Sequence, residues 1–140
     1  DNFDPRESHV IPALLVRAHL AKLTGDDSLV LWGTGTPLRE FLYVDDLADA
    51  LIFLMENYSE EGALNIGSGS EISIGELAKM ICDVVAFSGH LEYDTDKPDG
   101  TLRKLLDGHR LDDMGWHAKV ELQDGLVATY QWYLENTASA

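Results

Sequence analysis

Leu29-Val30-Leu31-Trp32-Gly33-Thr34-Gly35-Thr36-Pro37-Leu38-Arg39-Glu40-Phe41-Leu42-Tyr43-Val44-Asp45-Asp46-Leu47-Ala48 decides the fold class. The apolar run 29–32 reads as a short strand, and two glycines and a proline then make a turn. Residues 39–44 alternate polar and apolar, as the second strand of a hairpin would. Asp45 or Asp46 then caps a helix to about residue 57, with Leu47, Ala48, Leu51, Leu54 and Met55 along an apolar stripe. The same alternation continues downstream. Residues 63–66 read as a buried strand ending in Gly67-Ser68-Gly69. Ser73-Ile74-Gly75-Glu76 fits a capping box that opens a helix carrying Leu77, Ile81, Val84 and Val85. Residues 91–93 suit a strand, 94–103 a polar loop, 111–114 a helical turn ended by Gly115, and 122–135 a final amphipathic helix. Upstream, Ser8 is a candidate N-cap for a helix to about residue 23, with Pro12 near its first turn. Alternating strands and helices mean an α/β fold. The strand at 63–66 has few partners here, which suggests that part of a parallel sheet lies outside this chain.

The chain has 140 residues, a length that suits one domain with one real core. Ten Lys and Arg against 25 Asp and Glu give a net charge of −15. That balance argues against non-specific binding to nucleic acid or to an anionic membrane, since both need a basic face. No apolar run approaches the ~20 residues of a membrane span, and the start lacks a signal segment, so the cytoplasm is the expected compartment. A single cysteine, Cys82, excludes an intrachain disulfide framework and a Cys-based zinc site. It falls on the apolar side of a helix and reads as a small buried hydrophobe. No His pair has metal-ligand spacing.

The scarce cations carry the chemistry. Arg39 follows the Gly/Pro turn, and Lys97, Arg103 and Lys104 fall in or beside one polar loop. Converging on a cleft, such charges could hold a diphosphate; the alternative is surface pairing with the many carboxylates. His9, at the start of a helix, suits general acid/base work, or is simply a first-turn residue packed on a loop. Trp32 beside the turn is a stacking candidate or a core residue. Gly33-Thr34-Gly35 and Gly67-Ser68-Gly69 are fragments of phosphate loops at most. Neither completes the strand-to-helix Gly pattern of dinucleotide sites, and turn glycines explain both.

Four segments together resemble the GDP-L-fucose synthase family, the GDP-4-keto-6-deoxymannose 3,5-epimerase/4-reductases of the extended short-chain dehydrogenases. They are Asp1-Asn2-Phe3-Asp4-Pro5 through Ser8-His9-Val10-Ile11-Pro12, Trp32 through Phe41, Val44-Asp45-Asp46-Leu47-Ala48, and Lys97-Pro98-Asp99-Gly100-Thr101-Leu102-Arg103-Lys104-Leu105-Leu106-Asp107. The ending Thr129 through Asn136 fits as well. Tyr43 and Leu102 depart from the family, which usually has His and Pro there.

The resemblance implies the C-terminal, substrate-binding part of such an enzyme, lacking most of the Rossmann sheet. It implies one GDP-sugar-binding domain over residues 1–140, with about 45–67 completing an absent dinucleotide-binding domain. By position, His9 matches the epimerisation acid/base, while Val10, Arg17, Trp32, Arg39 and Lys104 match positions that hold the GDP-sugar. NADP is the cofactor of the complete enzyme, and none is expected on this chain, which has no Met start and no family Tyr-x-x-x-Lys helix. Tyr93 and Lys97 have that spacing, but in a loop-forming context. The chain alone is therefore expected to be inactive and to cover its exposed faces with a second copy or with the N-terminal half. A self-standing nucleotide-sugar-binding module and a non-binding remnant are the alternatives.

Overall fold

The computed structural model describes residues 2–4 and 7–137. Asp1, Pro5 and Arg6, which belong to the first family-like segment, lie outside the described residues. In chain order the elements are α1 (Val10–Thr24), β1 (Ser28–Trp32), β2 (Leu38–Glu40), α2 (Val44–Asn57), β3 (Glu71–Ser73), α3 (Ile74–Val85), β4 (His90–Asp94), β5 (Arg103–Lys104), α4 (His109–Asp113) and α5 (Leu122–Asn136). The fold is α/β, as the alternating pattern requires. No helix among the described residues is long and apolar enough to cross a membrane.

Two small sheets form. β1 runs parallel to β4, from Ser28 opposite His90 to Trp32 opposite Asp94. β2 is the centre of the second sheet, antiparallel to β3 and parallel to β5. The expected hairpin between 29–32 and 39–44 is therefore absent. Gly33 and Gly35 take left-handed backbone, and the turn they make with Pro37 carries the chain from one sheet to the other instead of folding it back. β1 gains a full five-residue partner in β4, with Leu29 and Leu31 buried.

Three further expectations are corrected. Residues 63–66 form no strand: among the described residues no neighbour pairs with them, and Leu64 and Ile66 pack instead against Ala50, Leu111 and Trp116. His9, not Ser8, is the N-cap of α1, and it makes no side-chain cap. Tyr43, not Asp45 or Asp46, is the N-cap of α2. Asp46 is buried, and its Oδ2 accepts the backbone N–H groups of Lys119 (3.0 Å) and Val120 (2.9 Å). It ties the first turn of α2 to the segment before α5.

The main core joins α1 (Leu14, Leu15, Ala18), β1, α3 (Leu77, Ile81, Val85) and α5 (Leu126, Tyr130, Tyr133). Leu15, Leu77 and Ile81 are fully buried, each stabilising the fold by about 1.5–3 kcal/mol. The capping box forms as read: Ser73 Oγ accepts the Glu76 N–H at 3.1 Å, and the Glu76 carboxylate accepts the Ser73 N–H at 3.2 Å. Of the apolar stripe of α2, Leu54 packs against Ala50, Leu111 and Trp116, and the rest is exposed. Leu51 is 50% exposed and Met55 86%. Only Asp46 and Ala50 of that helix are buried.

Inside the main core, His19 Nδ1 lies 2.9 Å from the Tyr130 hydroxyl, with the Tyr133 ring edge-on. Burial, with a smaller contribution from Lys22, holds the His19 imidazole below its ordinary value of 6.5. Proton uptake then favours the unfolded chain. The corresponding stability is complete above about pH 6.5 and lost as pH falls through the lowered folded value. Melting curves at pH 7.5 and pH 5 should show a drop on acidification that is smaller in His19→Gln. Replacing Ser73 by Ala should destabilise the chain by about 1 kcal/mol, read by denaturant titration.

Candidate functional site

The turn after β1 leads into the cleft. Gly33 (φ +79°) and Gly35 (φ +73°) accept close neighbours that a side chain would displace: a Cβ on Gly33 would lie 2.2 Å from Asp99 Oδ1. The turn is anchored by Gly75 N–H donating to Gly35 O (2.8 Å) and Ile74 N–H to Pro37 O (3.0 Å). It delivers the chain into β2, where Arg39 lies directly opposite Lys104 of β5 in the parallel register. Arg39 Nη1 donates to the carbonyl of Leu38 at 2.7 Å. Neither Arg39 nor Lys104 has a carboxylate partner within ion-pair distance among the described residues. Arg103, one residue away, is committed: its Nε and Nη2 donate to the two carboxylate oxygens of Glu71 at 2.8 and 2.7 Å. That fork holds Glu71 below the ordinary carboxylate value and raises Arg103.

Arg39 and Lys104 share a cleft of about 480 Å³ with Glu40, Leu42, Gly67 and Leu105. The Glu40 carboxylate shapes its walls. It accepts the N–H of Gly69 at 2.7 Å and of Leu106 at 3.0 Å, closing the 67–69 loop and the segment after β5 around it. Trp32, 70% exposed at the end of β1, carries the Lys97 ammonium 5.9 Å from its ring centroid. Arg17 on α1 donates through Nη2 to the Val30 carbonyl of β1. His9 is exposed at the start of α1, and Val10 packs partly against the main core.

The structure thus brings Arg39 to Lys104 and Lys97 to Trp32, and lays Arg17 against β1. It joins His9 and Val10 to neither pair by a hydrogen bond or ring contact among the described residues. Sequence reading missed Thr34, Glu40, Glu71 and Asp99. Their partners lie 29 to 66 positions away in the chain, so no local pattern marks them.

Two further groups limit the chemistry. Cys82 is buried on α3, and burial pushes its thiol up, away from the thiolate that a base or nucleophile needs. Gly33–Gly35 leads into β2 and Gly67–Gly69 into β3, so neither places backbone N–H groups at a helix N-terminus. These residues do not fit the diphosphate of a dinucleotide cofactor. Tyr93 lies in β4 and Lys97 in the following turn, not on one helix face. Among the described residues no group of three His, Cys, Asp or Glu is placed to hold a metal ion.

Comparisons with known proteins agree with this architecture. The model of the NAD dependent epimerase/dehydratase family matches residues 1–67. GDP-L-fucose synthase 1 of Arabidopsis thaliana is 55% identical over 139 residues, covering 99% of this chain and 43% of the relative. GDP-L-fucose synthase of Sinorhizobium fredii is 52% identical over 138 residues, covering 99% of this chain and 44% of the relative. The chain spans less than half the length of these relatives. The crystal structure of a GDP-L-fucose synthetase from Naegleria fowleri bound to NADP superposes with a TM-score of 0.92 at 33% identity, covering 100% of this chain and 44% of that one. By sequence along its whole length and by fold, this chain is a relative of the GDP-L-fucose synthases and belongs with them in the extended short-chain dehydrogenase family.

Proposed function

We propose that this chain holds the GDP-sugar for an NADP-dependent epimerase/reductase that makes GDP-L-fucose from GDP-4-keto-6-deoxymannose. The observation that carries the reading is the Arg39–Lys104 register. Adjacent strands stand ~4.8 Å apart, a spacing at which two unpaired cations can share a diphosphate. In a chain of net charge −15 such a pair is the local exception that an anion would find.

Trp32, with Lys97 over its ring, offers an exposed aromatic face to the nucleotide or its sugar. Arg17 and Val10 line the approach in this reading, and His9 is the acid/base group. Protons α to a 4-keto group at C3 and C5 are acidified by the carbonyl, so an imidazole on one face can return a proton to the enolate. The base on the opposite face is not Cys82, which is buried. No hydride step is assigned to this chain's residues. In the same reading the segment of about 45–67 completes a dinucleotide-binding domain, and the exposed residues of α2 are covered by that domain or by a second copy.

Calorimetric titration of the chain with GDP-L-fucose should show saturable binding, and Arg39→Ala should weaken it at least about tenfold. NADPH should not be consumed when the chain alone is given GDP-4-keto-6-deoxymannose. A folded chain that binds no GDP-sugar would overturn the proposal.

A further inference from the structure

The chain passes from its first sheet to its second twice. Residues 33–37 carry it from β1 to β2, and residues 95–102 carry it from β4 to β5. The crossings run side by side, with Leu38 N–H donating to Leu102 O at 2.8 Å where they end. Asp99 ties them together in the middle. Its Oδ1 accepts the Thr34 backbone N–H at 2.8 Å, and its Oδ2 accepts the Thr34 hydroxyl at 2.7 Å. The fit depends on Gly33, whose missing side chain leaves room for the carboxylate.

The position of this contact matters more than its strength. On one side of Asp99, Lys97 stands over Trp32, at the end of the first sheet. On the other, Gly100 lies against the Arg39 guanidinium, where a Cβ would be 3.3 Å from Nη2, and Lys104 follows in β5 of the second sheet. A carboxylate beside cations that receive an anion opposes binding by its charge, so its contribution has to be geometric. We infer that Asp99 is a positioning residue of the GDP-sugar cleft: by bridging to Thr34 it fixes the Trp32–Lys97 pair relative to the Arg39–Lys104 pair, so that one ligand meets both. The inference rests on the proposed function for the identity of the ligand, though not for the existence of the latch.

The test uses the whole chain, with GDP as the probe. Asp99→Ala should fold with a melting temperature near that of the parent, yet bind GDP about tenfold more weakly. Thr34→Ser keeps both donors and should retain full affinity. Lys97→Ala should weaken binding in the parent chain but add nothing in the Asp99→Ala background, because there Lys97 is already displaced. A general loss of stability would instead let the two penalties add. Equal or tighter binding by Asp99→Ala, or full additivity with Lys97→Ala, overturns the inference. Amide hydrogen exchange without ligand reads the latch by itself: it should quicken over 33–37 and 95–102 in Asp99→Ala, and unchanged exchange there also overturns the inference. If the parent chain binds no GDP, the proposed function has failed and the exchange result alone decides the latch. Asp99→Asn, which keeps the volume and one acceptor, takes the same measurements if Asp99→Ala does not fold.

Discussion

β1 and β4 pair in parallel along five residues, and that pairing constrains everything between them. Parallel strands cannot be joined by a tight turn; the chain must leave, build something else and return. Here it leaves through the Gly33–Pro37 crossing, builds β2, α2, β3 and α3, and returns at His90. The return is held by α3, whose Leu77, Ile81 and Val85 share the core with α1 and with Leu29 and Leu31 of β1. Once β4 is placed, the continuation into β5 has to run back beside the first crossing, and Lys104 arrives opposite Arg39. The cationic cleft is thus a consequence of the crossover, not of any local motif.

Composition alone suggests that the surplus of acid is spread over a solvated surface. In the structure several carboxylates work as internal acceptors for backbone N–H groups. Asp46 takes those of Lys119 and Val120, Glu40 those of Gly69 and Leu106, Asp99 that of Thr34, and Glu76 that of Ser73. A carboxylate that accepts backbone hydrogen bonds orders two segments at once without needing a cation. That leaves Arg39 and Lys104 unclaimed while Arg103, Arg110 and Lys119 are engaged by Glu71, Glu60 and Asp49. The same economy explains how a chain of net charge −15 keeps two cations without a carboxylate ion-pair partner among the described residues.

The two faces of the molecule are finished to different degrees. α1, α3 and α5 bury apolar residues in one core, whereas Leu47, Leu51 and Met55 of α2 stay open to solvent. A helix that is patterned for burial yet exposed presents an apolar surface to solvent. Residues 63–66 have the pattern of a buried strand, but a strand exists only beside a partner, and none pairs with them among the described residues.

By itself the sequence determined whatever depends on neighbours a few positions away. The Ser73–Glu76 capping box, the α5 helix and the burial of Cys82 all formed as read. The scarcity of cations also made Arg39 and Lys104 candidates from sequence. Only the tertiary structure decided which strands pair, and so replaced a hairpin with two crossings between separate sheets. It alone placed Asp46 and Asp99 as ties between segments 65 or more positions apart and committed Arg103 to Glu71. The physical reason is range. Capping and turn geometry are set within one helical turn, while strand partners and long-range hydrogen bonds are chosen by which arrangement buries Leu15, Leu77 and Ile81 together.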